Sequence, residues 1–168
     1  AAPERMLAYY TILYLQAELA LDGVIDGDAR EFLAEAIQAS FEKVNEVVAG
    51  TGTTQAVPTI DQDAIDNYMN AVLEQYDAGN DDRKLEIILT EKWIAGFGNA
   101  IDAYNDYRRR GYPVIFDPNN DTGPYALITS SPTPFLVSLP WRAEDLNLNQ
   151  NAPAQKNATT DRVFWDPN

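Results

Sequence analysis

A chain of 168 residues, 45% of them hydrophobic, is long enough to bury a core and too apolar to be disordered throughout. Its net charge of −14 repels phosphate backbones and anionic membrane faces, which argues against nucleic-acid binding and against docking on a charged bilayer surface. With neither Cys nor His in the sequence, disulfides, thiolate metal sites, a lipid-accepting cysteine and imidazole acid–base chemistry all fall away. No apolar run reaches membrane-spanning length and no signal peptide is legible. The chain is therefore expected either to be intracellular as it stands or to be a piece of something processed and longer.

In chain order, Leu7 to Leu21 is apolar nearly all round, which predicts a buried helix ended by Gly23. Asp28 with Glu31 reads as a capping box for a second helix, whose stripe is Leu33, Ile37, Phe41, Val44 and Val48. Gly50 to Pro58 is a loop by composition. Thr59 with Gln62 reads as another capping box, opening a third helix with Ile65, Met69, Val72 and Tyr76 in line. Ala78 to Asp81 breaks it, and an Asp there starts a long fourth helix.

That fourth helix is read as unbroken through Leu85, Ile88, Leu89, Trp93, Phe97, Ile101 and Tyr104 to the arginines at 108, 109 and 110. Gly111 suits a left-handed cap, and Pro113 cannot continue a helix. Gly96 and Gly98 inside the run each cost about 1 kcal/mol relative to Ala. They point either to close packing of another backbone or to a local kink. The fold class expected is mainly α: antiparallel helix pairs joined by short turns, four helices in residues 1–113. Tyr9 to Val44, with Ala17, Ala20, Ala36 and Ala39 where helices would cross, looks like one tetratricopeptide-type unit. No clear second copy follows, and plain four-helix packing is the simpler alternative.

Residues 114–168 lose the helical period and are rich in Pro, Asn and Asp. They are expected to form a long irregular segment packed on the helical body within one domain, with short extended pieces at Tyr125–Thr129 and Phe135–Leu139.

The chemistry legible in the sequence is sparse. Carboxylates abound, but no two stand out as a catalytic pair, and as a class they read as solvated. Neither a catalytic residue nor a cofactor is predicted. Glu18 is different, because it lies in the most apolar helix and a buried carboxylate needs a partner. Arg108 or Arg109 can supply a bidentate one, so a structural ion pair is expected. Asp117 to Gly123 alternates oxygen ligands as calcium loops do, but Thr122 and Ile128 stand where an EF-hand needs Gly and Glu. A turn capped by its own side chains is the better reading, and no metal site is predicted. Asn157-Ala158-Thr159 fits a glycosylation sequon, a weak three-residue pattern. Trp93 and Tyr104 belong to the apolar stripe and are expected in the core. Tyr125, Trp141, Phe164 and Trp165 lie in irregular segments. All four are expected to staple the tail, while Tyr125 and Trp141 are also candidates for stacking on a sugar face.

Several stretches together resemble the SusD/RagB-like outer-membrane nutrient-binding lipoproteins of the Bacteroidetes type. The carrying residues are Tyr9–Leu21 (YYTILYLQAELAL), Gly27-Asp28-Ala29, Ala36–Glu42 (AIQASFE), Leu85–Ala95 (LEIILTEKWIA), Asp102–Ile115 (DAYNDYRRRGYPVI), Leu139–Asn149 (LPWRAEDLNLN) and Thr160–Asp166 (TDRVFWD). They occur in the family's order over nearly the whole chain. Asp102, Tyr104 and Arg110 depart from the family's usual Glu, Trp and Thr in conservative ways.

The resemblance implies a tetratricopeptide-like α-α superhelix and a parent protein several times longer, lipid-anchored at the outer-membrane cell surface through a cysteine upstream of this chain. It implies non-catalytic capture of oligosaccharides, and sometimes peptides, for delivery to a SusC-like TonB-dependent transporter. A helical scaffold that binds a protein partner without a small-molecule ligand is the alternative. In either case the Leu7–Leu21 helix is expected to expose apolar surface or to be covered by another chain.

Overall fold

The computed structural model describes residues 7–52, 54–114 and 136–166. The chain divides into two compact units, Ala1–Asp106 and Tyr107–Asn168. Among the described residues the regular structure is all helical: α1 (Tyr9–Leu21), α2 (Ala29–Ala49), α3 (Gln62–Ala78), α4 (Asp81–Ala95), α5 (Ala100–Arg110) and α6 (Ala143–Leu148). No helix among them is long and apolar enough to cross a membrane.

In the first unit, antiparallel pairing builds the core. α1 packs on α2 and α4, α2 also meets α3 and α4, and α3 lies on α4. Ala17 and Ala36 are fully buried, and their missing side-chain bulk lets α1 and α2 approach closely. Around them the core collects Tyr10, Leu13 and Tyr14 from α1, Leu33 and Ile37 from α2, Val72, Leu73 and Tyr76 from α3, and Ile87 and Ile88 from α4. α1 is nevertheless not buried all round. Tyr9, Ile12 and Leu15, three residues apart, are 63%, 39% and 39% exposed.

The helix ends show how local chemistry sets the element bounds. α1 closes with a Schellman motif: the Val24 N–H donates to the Leu19 carbonyl at 2.8 Å and the Gly23 N–H to that of Ala20 at 3.1 Å. Gly23 supplies the positive φ of +69° that this geometry requires. Asp28 caps α2 by accepting from the Arg30 N–H at 2.8 Å. α3 is capped by Asp61, which accepts from the Ala64 N–H at 2.8 Å, and not by Thr59. The helix starts at Gln62, so Thr59 lies too early to reach its free N–H groups, and the Gln62 side chain turns to Gln38 and Asp66 instead. Asn80, rather than an aspartate, caps α4 through the Arg83 N–H. Asn45 clips the α2–α3 loop, donating to the Ile60 carbonyl at 2.8 Å and accepting from the Ile60 N–H at 3.0 Å.

The long fourth helix is in fact two, so five helices rather than four precede Pro113 among the described residues. α4 stops at Ala95 with Gly96 as its cap, and the Asn99 N–H donates back to the Gly96 carbonyl at 2.8 Å. Gly98 takes φ +92°, and a Cβ there would meet nothing within 4 Å. Its role is therefore a backbone conformation open to glycine, not close approach of another chain segment. The break resets the helical phase. Trp93, expected in the core, is 41% exposed, and Phe97 and Ile101 point largely outward.

In the second unit, Gly111 ends α5 at φ +78°, with its N–H on the Tyr107 carbonyl at 2.7 Å. α6 is a single short helix. The N–H groups of Val137 and Ser138 both donate to the Ala158 carbonyl, at 2.9 and 3.1 Å. Asn157 closes a turn by accepting from the Thr159 N–H at 3.0 Å, and Arg162 pairs with Asp166 at 3.1 Å. Tyr125–Thr129, Phe135 and Asp117–Gly123 lie outside the described residues, and residues 136–139 form no strand.

Candidate functional site

Two places carry chemistry, one in each unit. The first is a cleft of about 320 Å3 lined by residues of all four core helices. Its floor is Glu91 of α4 and Tyr14 of α1, both buried. The Tyr68 hydroxyl, from α3, reaches both carboxylate oxygens of Glu91, at 3.0 and 2.9 Å. Phe41 of α2 stands edge-to-face against Tyr68, with centroids 5.4 Å apart. Val44, Ile94 and Phe97 form an apolar, solvent-exposed rim.

Burial dominates the electrostatics of this cleft. It holds the Glu91 carboxyl above its ordinary range, against a smaller opposing effect of the Tyr68 hydrogen bond. Burial also pushes up the Tyr68 hydroxyl, reinforced by the neighbouring Glu91 charge. Tyr14 is raised for the same two reasons, although a hydrogen bond with Ser40 partly offsets them.

Sequence reasoning missed this cleft because it treated every carboxylate but Glu18 as solvated. The signal was the register of α4. Glu91 lies three residues after the fully buried Ile88 and four after Ile87, on the face that points inward. Asp106, like Glu18 and Glu91, is a buried carboxylate, bound to the largely buried Lys92 at 2.7 Å. That pair lines a void of only about 20 Å3 beside Trp93 and Asn99, too small to hold an organic ligand.

The second place is Trp141, in the second unit. Its backbone is locked by Gln155, whose side chain accepts from the Trp141 N–H and donates to its carbonyl, both at 2.9 Å. The Lys156 ammonium lies 4.7 Å from the ring centroid. Trp141 is 47% exposed, and its backbone is tied down. Tyr125, the other aromatic singled out, lies outside the described residues. Trp165 is held under the Arg108 guanidinium at 4.5 Å, whereas Phe164 is fully exposed and staples nothing.

Glu18 is buried on α1 and Arg108 is buried at the end of α5. Arg109 is half-buried. Glu18 belongs to the first unit and both arginines to the second. Among the described residues no three carboxylates converge as a metal cage.

The sequence profile of the SusD-like family, described as SusD and RagB outer membrane lipoproteins, matches residues 5–161. No functionally curated protein matches the chain. A structure described as a chitin-binding protein shares 25% identity and a TM-score of 0.69, over 96% of this chain and 33% of its own. A SusD homologue from Bacteroides fragilis NCTC 9343 shares 29% identity and a TM-score of 0.55, over 71% of this chain and 26% of its own. A second homologue from the same organism shares the fold at 22% identity and a TM-score of 0.55, over 65% of this chain and 24% of its own. The chain thus spans between a quarter and a third of the length of the solved structures it matches. With the family profile covering residues 5–161 of the chain, the chain belongs to the SusD-like family of outer membrane lipoproteins.

Proposed function

We propose that this chain is part of a non-catalytic glycan-binding protein at the outer-membrane cell surface. The carrying observation is its similarity, over 96% of its length, to a structure described as a chitin-binding protein. The family's description as outer membrane lipoproteins supports the location. The parent protein passes captured oligosaccharide, or in some cases peptide, to a SusC-like TonB-dependent transporter. Trp141 is the stacking platform of this reading, aided by Tyr125. Glu18 pairs with Arg108 or Arg109 in a structural role. No side chain is assigned to bond cleavage.

Titration with chito-oligosaccharides tests the site. Binding should quench or shift tryptophan fluorescence, and Trp141→Ala should weaken it by about tenfold, the scale of one lost stacking contact. Undiminished binding by Trp141→Ala would remove Trp141 from the site. A second reading, a scaffold for a protein partner, draws on the exposed Tyr9, Ile12 and Leu15 face of α1. Capture of the transporter in place of any glycan would favour it.

A further inference from the structure

The cleft on the first unit is lined by none of the residues assigned to the glycan site. A carboxylate, Glu91, lies at its buried end, 8% exposed. Its hydrogen bonds come from one neutral group, the Tyr68 hydroxyl, and among the described residues no lysine or arginine is paired with it. The nearest α4 cation, Lys92, is committed to Asp106. Removing a carboxylate from water without a cation is costly, so an opposite charge placed beside it relieves part of that cost. The walls suit the same guest. Phe41 and Tyr68 present aromatic surface, which attracts a cation through the ring quadrupole. Ile94 and Phe97 at the mouth offer apolar contact. The volume, about 320 Å3, is that of a small-molecule pocket and not of a protein groove. A chain of net charge −14 also concentrates cations around itself.

We propose that this cleft binds a small organic ammonium: a protonated amine seated on the Glu91 carboxylate beside the Tyr68 hydroxyl, carrying an apolar body of about one ring between Phe41, Ile94 and Phe97. The proposal does not depend on the glycan reading.

Benzylamine and its neutral counterpart benzyl alcohol are the probes, titrated calorimetrically into the full chain near neutral pH. Benzylamine should bind saturably. The alcohol should bind at least about tenfold more weakly, the scale of one charge-assisted hydrogen bond. Glu91→Gln should weaken the amine to the level of the alcohol. Val44→Trp, which fills the mouth from the exposed rim and leaves Glu91 untouched, should abolish both, and it keeps the test decisive if Glu91→Gln does not fold. Chito-oligosaccharide binding should be unchanged in either variant. Equal affinity for amine and alcohol, undiminished amine binding by folded Glu91→Gln or by Val44→Trp, or no saturable binding of benzylamine would each overturn the proposal.

Discussion

At the scale of single residues, the buried ionisable groups set how the fold responds to pH. Burial raises Glu91 above its ordinary value of 4.5, so the folded chain holds that proton more tightly than the unfolded one. The associated stability is present in full below about pH 4.5 and is lost as pH rises through the raised pKa. Denaturant unfolding at a series of pH values should show that decline, and Glu91→Gln should flatten it. A decline of equal size in the variant would assign it to other groups. Tyr14 and Tyr68 are both raised above 10.0, so their contribution is present below pH 10 and is lost above it. Alkaline unfolding should therefore set in above that pH, and Tyr68→Phe, which also loses the hydrogen bond to Glu91, should show a shallower alkaline pH dependence.

Glu18 is the other residue-scale case. Its burial was legible from a lone carboxylate in an apolar helix, and the structure places it at 1% exposure. If its partner is Arg108 or Arg109, Glu18→Gln should cost about 3–5 kcal/mol, the effect of breaking a buried pair, and lower the melting temperature. An unchanged melting temperature would refute the pairing.

At the scale of elements, helix existence was more legible than helix ends. The apolar stripes of α2 and α3 were readable because Leu33, Ile37, Ile65, Val72 and Tyr76 recur at helical spacing and are all buried. Caps were harder, because Thr59, Asp61 and Asn80 all belong to the residue types that cap, and only the backbone path decides which is placed to do so. Asp61→Ala should destabilise by about 1 kcal/mol, whereas Thr59→Ala should cost much less. A larger loss at Thr59 would restore the capping box inferred from spacing. The α4–α5 break was missed because apolar periodicity continues across it, through Phe97 and Ile101, although both side chains are largely exposed. The two glycines were the available signal. Gly98→Ala should destabilise by about 1–2 kcal/mol, since an L side chain resists its positive φ. A neutral effect would mean that the chain passes this point in another conformation.

At the scale of the whole molecule, family membership was legible from motifs in series, while the geometry of the sites was not. Nothing in a sequence pattern shows that Gln155 pins the Trp141 backbone or that Tyr68 reaches Glu91, since each contact joins residues 14 or more apart. The exposed Tyr9, Ile12 and Leu15 on α1 are likewise a tertiary fact, because the helix reads as apolar all round. Glycan binding without catalysis is best checked by calorimetric titration with a chito-oligosaccharide, followed by mass analysis of the recovered sugar. Binding should be saturable, with the sugar returned at its original length. No binding to any oligosaccharide offered, or sugar returned shortened, would contradict it.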